Sequence, residues 1–341
     1  MQKTVQSAMQ TGDTTVRLNR VSKEFVQWQR SGKATEILKN LFHPQQRVIS
    51  ALKNLSLEIK KGEFVAYAGA NGAGKSTTIK ILSGIMQPTR GQVSVLGLRP
   101  ERDRVRLMRR VGIVFGQRTE LWWDHPVAAS FEWKKNVWDI PEQKYRANLA
   151  LVTELLGLGD LLNTFARELS LGQRMRADLA LMLLHEPELI FLDEPTLGLD
   201  VLAKRQMIDF LKRINQERQT TIVVTSHDMD DLEEMAQRIV LLSKGELAFD
   251  GSFEELRAIA GNICRIRLTR SHNGVLKFNG GQLITQQNNI YEYEFDTSQT
   301  PMQTIFTQIS ALSGIMDIEI RKAPIEQIVA GLYNQWRVSA K

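Results

Sequence analysis

The chain has 341 residues, 43% of them hydrophobic and 24% charged, the composition of a soluble globular protein with room for about two domains. Its single cysteine, Cys264, excludes an internal disulfide framework, and no uncharged apolar run reaches the roughly 18–20 residues needed to span a bilayer. The net charge of +6 is uneven: residues 1–110 carry 20 Lys and Arg against 7 Asp and Glu, which suits a polyanionic partner (a nucleotide, anionic lipid headgroups or nucleic acid) or a solvated basic surface.

The segment Met1 to Ser7 lacks the apolar stretch of a signal peptide, which predicts a cytoplasmic location. Val16-Arg17-Leu18 with Val21 predicts a first strand. Residues 26–47 read as a polar, basic insertion in which Ile37, Leu38, Leu41 and Phe42 share one helical face. A strand pattern returns over 48–60, and Lys61-Gly62-Glu63 turns into a buried strand at Phe64-Val65-Ala66-Tyr67-Ala68.

That strand feeds Gly69-Ala70-Asn71-Gly72-Ala73-Gly74-Lys75-Ser76-Thr77, which fits the phosphate-binding pattern G-x-x-x-x-G-K-[ST]. Glycines let the backbone wrap closely and turn its N–H groups toward phosphate oxygens. Lys75 can reach the β- and γ-phosphates of a nucleoside triphosphate, and the Ser76 hydroxyl can ligate Mg²⁺. The helix expected to begin near Ser76 points its positive end at the same anion.

Residues 111–115 predict a strand ending near Gln117, and residues 126–185 a helical region broken near Pro141 and Gly157-Leu158-Gly159. Leu189-Ile190-Phe191-Leu192 and Thr221-Ile222-Val223-Val224 are runs of parallel-strand type separated by a helix over 201–217. The first ends in Asp193 and Glu194. A carboxylate at that place adjoins the metal in phosphate-loop proteins, and the next can polarise the attacking water. His227 follows the second run within Thr225-Ser226-His227-Asp228, from where it can donate a hydrogen bond to the γ-phosphate. Leu169-Ser170-Leu171-Gly172-Gln173 precedes a helix at 174–184, another anion-binding arrangement. A hairpin closes around Lys244-Gly245, and Ser252 with Glu255 predicts a capped helix. After about residue 262, strands at 263–268 and 290–296 and helices at 301–312 and 324–335 predict a small α+β unit.

Taken together, these motifs resemble the nucleotide-binding subunit of an ABC transporter over roughly residues 14–250. The resemblance implies a Walker A loop from Gly69 to Thr77 and Gln117 as the Q-loop glutamine. It further implies a signature at Leu169 to Gln173 with Ser170, Gly172 and Gln173 facing phosphate. Asp193 ends Walker B, Glu194 is the catalytic glutamate, Leu197 to Asp200 form the D-loop and His227 is the switch histidine. Phe25 stands where the family places an aromatic on adenine, although a strand core position suits it too. One departure is visible: the usual signature is Leu-Ser-Gly-Gly-Gln, and Leu171 replaces its first Gly.

The implied fold is α/β, a P-loop NTPase of ABC ATPase type with a helical subdomain at about 118–187 and a small C-terminal α+β appendage. The implied domains are an N-terminal tail (1–13), the ATPase domain (14–260) with its 26–47 insertion, and an accessory domain (261–341). The implied cofactors are ATP and Mg²⁺, the metal held by Ser76, Gln117 and Asp193. Implied partners are separate transmembrane permease subunits, a second ATPase copy or paralogue, and the membrane surface, with the chain on the cytoplasmic face of the inner or plasma membrane. Val114 to Asp124, with Trp122 and Trp123, resembles a multidrug, viologen-type subgroup of ABC-2 exporters. The insertion is similar to that of exporters of lipid-linked polysaccharide or teichoic acid. A non-transport ABC ATPase acting on ribosome or DNA is the alternative of another class; no nucleic acid is expected, since neither the tandem ATPase units nor the coiled-coil insertions of those groups are present.

Overall fold

In the computed structural model, which describes residues 14–28, 46–116, 118–259, 263–272, 276–322, 325–326 and 328–332, the apolar runs of the sequence become strands of three sheets. The chain divides into two units, residues 1–250 and 251–341.

In the first unit, β1 (Thr14–Trp28) pairs antiparallel with β2 (Gln46–Lys60) and with β4 (Arg90–Val95). The ends of the expected insertion are strand: Val26 pairs with Val48, Gln27 with Arg47 and Trp28 with Gln46. Residues 29–45, with Ile37, Leu38, Leu41 and Phe42, lie outside the described residues.

The second sheet has the order β5 (Val111–Phe115), β6 (Leu189–Asp193), β7 (Thr221–Thr225), β3 (Phe64–Gly69), β8 (Arg238–Ser243) and β9 (Glu246–Ser252). β5, β6, β7, β3 and β8 run parallel. Such strands are buried on both faces, which is why they read as short unbroken apolar runs. Ile190, Phe191, Leu192, Ile222 and Val224 are all fully buried, each contributing roughly 1.5–3 kcal/mol of apolar transfer free energy. β9 returns through Lys244 and Gly245, both at positive φ, the backbone a two-residue hairpin requires. Because β3 lies inside the sheet, next to β7 and β8, its C-terminal end opens at a change of strand order, where α/β proteins bind ligands.

Helices at Val127–Val137, Glu142–Leu156 and Leu171–Leu183 make up the helical region, which breaks at Pro141 and at Gly157 as expected. Gly157 sits in the left-handed conformation that ends the second helix. No helix among the described residues is long and apolar enough to cross a membrane.

The second unit begins with the helix Phe253–Ile259, capped as expected: Ser252 Oγ accepts from the Glu255 amide, and Glu255 accepts from the Ser252 amide. Its sheet has the order β11 (Gly281–Gln287), β12 (Ile290–Asp296), β10 (Ile263–Arg270) and β13 (Ile315–Lys322). The helix Met302–Ser310 contributes Ile305 and Ile309 to a core with Ile266, Leu268, Tyr291, Tyr293 and Phe295. The sequence pattern predicts neither β11 nor β13. Both are edge strands, and edge strands carry the polar residues that blunt an alternating pattern.

Candidate functional site

The carboxyl ends of β6 and β7 stand in register, Asp193 beside Thr225, and Phe115 of β5 pairs with Asp193. The phosphate loop rises from β3 next to them. A helix over Lys75–Leu82 follows, starting one residue before the expected Ser76. Gly74 precedes it at φ 110°, and a Cβ there would meet Leu52 Cδ2 at 2.6 Å and the Ala51 carbonyl oxygen at 2.7 Å. Only glycine satisfies both the backbone and the space. Gly72 at φ 78° has nothing within 4 Å of its Cβ position, so a ligand can approach its backbone. Gly69, Ala70, Asn71 and Gly72 are open to solvent to varying degrees, whereas Ala73 is buried and Thr77 half-buried. The Ala73 carbonyl accepts from the Gly245 amide, which ties the loop to the β8–β9 turn.

Lys75 is 7% exposed and folds back to donate to the carbonyls of Gly69 at 2.6 Å and Ala70 at 3.5 Å. Burial lowers its pKa from the usual lysine range, and the charges of Glu194 and Asp193 work against that shift. Ser76 Oγ donates to Asp193 Oδ2 at 3.2 Å. Loop and strand end, 117 residues apart in sequence, thus meet at a pair of hard oxygen donors.

Glu194 is the next residue, with φ 59°, a backbone region that non-glycine residues occupy at a cost and that clusters at functional sites. Two contacts hold it there: its amide donates to the Thr225 carbonyl at 3.0 Å and to Thr225 Oγ1 at 3.2 Å. His227 Nε2 lies 2.6 Å from Glu194 Oε1, a hydrogen bond donated by the imidazole. A crevice of about 350 Å³ lined by Ser76, Lys80, Phe115, Arg118, Asp193 and Glu194 opens beside this group. Gln117 lies outside the described residues.

Thr225 belongs to the site although no motif of the sequence singles it out. Its hydroxyl donates to Asp193 Oδ1 at 2.6 Å, so one side chain orients Asp193 and braces the Glu194 backbone. Its only sequence signal is a hydroxyl at a strand end just before His227.

The structure does not bring every expected residue to this crevice. Ser170 caps the helix Leu171–Leu183, accepting from the Gln173 amide at 3.2 Å, while Gln173 Oε1 accepts from the Ser170 amide at 2.9 Å. Gly172 lies in the first turn of that helix. Leu171 opens it, so the replaced glycine of the signature falls at a helical position that any residue adopts. Asp200 caps the helix Val201–Arg218 through the Ala203 amide at 2.9 Å. Phe25 lies in β1 opposite Ile49, half-buried, with Lys23 Nζ 5.3 Å from its ring centre. Trp122 is 39% and Trp123 49% exposed. Trp122 packs on Trp133 and Trp123 carries the Arg174 guanidinium.

Among the buried titratable groups of the helical region, His185 and Asp178 shift in opposite senses. Burial lowers His185 to about 4, while burial raises Asp178, held by the Thr119 hydroxyl and the Glu120 amide, to about 6. Below about pH 6.5 the unfolded chain protonates His185 before the folded one does, so stability is lost as pH falls from 6.5 toward 4. For Asp178 the folded state takes the proton first, and stability is gained between about 6 and 3.9. In a His185→Phe variant only the gain remains. Its Tm minus that of the parent is expected to grow as pH falls from 6.5 to 4, as thermal melts across pH will show; a constant difference would contradict a neutral, buried His185.

The family model for the ABC transporter matches residues 52–197. A putative ABC transporter ATP-binding protein of Clostridium acetobutylicum is 33% identical over 208 residues, 60% of this chain and 75% of that protein. A probable multidrug ABC transporter ATP-binding protein of Escherichia coli, YbhF, is 33% identical over 215 residues, 62% of this chain and 36% of that protein. Names among the relatives cover both import and multidrug transport, and the chain spans between 25% and 87% of the length of the curated relatives it matches. Among solved structures, a dimeric ATP-binding cassette in a post-hydrolysis state bound to ADP and Pi superposes with a TM-score of 0.58 at 27% identity, covering 70% of this chain and 98% of the other.

Proposed function

This chain belongs to the ABC transporter ATP-binding family, and on that premise we propose that it hydrolyses ATP to power an ABC-2 type exporter through separate transmembrane subunits. The observation that carries the reading is the meeting of Ser76, Asp193, Glu194 and His227 beside the phosphate loop at the carboxyl edge of the sheet.

The loop amides and Lys75 hold the β- and γ-phosphates. Ser76 and Asp193 are hard oxygen donors and fit Mg²⁺, with Gln117 as a third contact. When bound, the metal neutralises charge on the phosphate oxygens. Glu194 accepts the proton of the attacking water, which adds in line to the γ-phosphorus while the bond to the β-phosphate oxygen breaks. His227 holds Glu194 in place through its Nε2–H, and with nucleotide bound that same N–H would turn to the γ-phosphate. Phe25 stacks on adenine. Ser170, Gly172, Gln173 and Asp200 lie on segments that serve the nucleotide of a second subunit, a copy or a paralogue. The second unit, residues 251–341, is an accessory unit.

The export direction rests on the segment Val114 to Asp124 with its two tryptophans, and the cargo class is a drug, lipid or other amphiphile. Exposed Trp122 and Trp123 suit an interface with the permease, which would hold the chain on the cytoplasmic face of the membrane. The test is recovery of a Glu194→Gln variant from its native membranes with MgATP. Copurification of a polytopic membrane protein lacking its own ATPase supports the reading. Copurification of ribosomes or nucleic acid with no membrane protein rejects transport.

The Thr225→Val variant tests the metal site. Loss of the hydroxyl removes the bond to Asp193 Oδ1, leaving that carboxylate, among the described residues, held by Ser76 alone through Oδ2, and leaves the Glu194 amide one acceptor. The Mg²⁺ concentration for half-maximal ATPase is expected to rise by roughly tenfold, the scale of about one hydrogen bond to a charged group. An unchanged Mg²⁺ titration would remove Thr225 from the site.

A further inference from the structure

We propose that Leu171, where this chain departs from Leu-Ser-Gly-Gly-Gln, is a positioning residue that ties the signature segment to the turn behind Glu194. The proposal rests on the ATPase reading above and deepens it. A Cβ built on Gly198 would lie 2.5 Å from Leu171 Cδ2, and Gly198 has φ +75°. Glycine at 198 therefore supplies both the left-handed backbone and the space for the leucine methyl. One residue on, the Cβ position of Gly172 lies 3.6 Å from Leu199 Cδ2 and 3.7 Å from Ala203 Cβ. The two segments meet side by side, 171 on 198 and 172 on 199 and 203.

The turn they meet at begins with Glu194. The Leu197 amide donates to the Glu194 carbonyl and the Leu199 amide to that of Thr196, both at 3.3 Å. It ends at Asp200, which caps the next helix. A glycine at 171 would reach none of these atoms. With leucine there, displacement of the signature helix presses directly on the turn that follows Glu194 and donates to its carbonyl. In the dimer reading, the signature serves one nucleotide and Glu194 the other. Leu171 then links the two sites through its side chain, beside the approach of Gly172 to Leu199 and Ala203.

The experiment compares Leu171→Ala and Leu171→Met in the full chain. Leu171→Ala keeps a Cβ and removes the contact; methionine restores reach. In the alanine variant kcat is expected to fall about tenfold with KM for ATP within about twofold, because the loss falls on the reacting geometry and not on nucleotide binding. Methionine is expected to retain most of kcat. Hydrogen exchange without nucleotide gives a readout that does not depend on activity: the Leu197 and Leu199 amides are expected to exchange about tenfold faster in Leu171→Ala and at the parent rate in Leu171→Met. In a thermal-melt cycle, Gly198→Ala is expected to cost less in the Leu171→Ala background than in the parent, since the clash is gone and only the φ strain remains. Unchanged exchange, or equal costs of Gly198→Ala in the two backgrounds, overturns the contact. Faster exchange with kcat unchanged overturns its role in turnover. A parent chain that hydrolyses no ATP while exchange still responds to Leu171→Ala identifies the ATPase reading as the part that failed.

Discussion

Glu194→Gln is expected to lower ATP turnover by about 10²–10⁴-fold, roughly 2.7–5.5 kcal/mol of transition-state stabilisation, with ATP affinity intact. The amide keeps the size of the carboxylate and can still meet His227, so the backbone at φ 59° and its contacts to Thr225 survive. What it loses is the ability to take a proton from water. Lys75, Ser76 and the loop amides, which the proposed mechanism assigns to the phosphates, are untouched. The measurement is steady-state phosphate release beside equilibrium ATP binding. Near-normal turnover would remove Glu194 as the base, and weakened binding with equal loss of kcat/KM would make its role structural.

Lys75→Ala acts at the opposite end of the same site. ATP affinity is expected to fall by about 10²–10³-fold, the cost of deleting one member of a desolvated charge pair. Burial already presses the Lys75 pKa downward, and a bound polyphosphate would press it back up, so the cation is poised for an anion. The variant also leaves the Gly69 carbonyl without the 2.6 Å hydrogen bond it accepts. A circular dichroism melt therefore accompanies the binding titration with a fluorescent nucleotide. A folded variant that binds ATP as the parent does would take Lys75 out of phosphate recognition.

Much of this site is legible in the amino-acid sequence. The phosphate loop is a contiguous run whose glycines and lysine each have a local physical reason, so Gly69 to Thr77 can be read directly. Asp193 and Glu194 are legible because an unbroken apolar run ending in two carboxylates has few explanations other than a buried strand with a polar mouth. Thr225 is not, because a hydroxyl at a strand end is common and its meaning depends on which strand lies alongside. Leu171 stands out in the sequence only as a departure. Its partner Gly198 cannot be named from spacing, since nothing local pairs a helix start with a turn 27 residues later. In the second unit, β11 and β13 escape for a related reason: edge strands carry mixed polar sequence, and what makes them strands is the neighbour they pair with.

The sequence by itself determined the groups available to this protein: a glycine-rich loop ending in a lysine, a strand-end carboxylate pair, a histidine after the next strand, and short apolar runs of parallel-strand type. Those features follow from backbone conformation and hydrophobic burial, which act over a few residues. Only the tertiary structure decided that β6 lies beside β7, bringing Asp193 to Thr225, and that β3 sits next to β7, bringing Ser76 to Asp193. Strand order is set by how the helical crossovers pack across the whole core, a sum over many contacts that no local segment encodes.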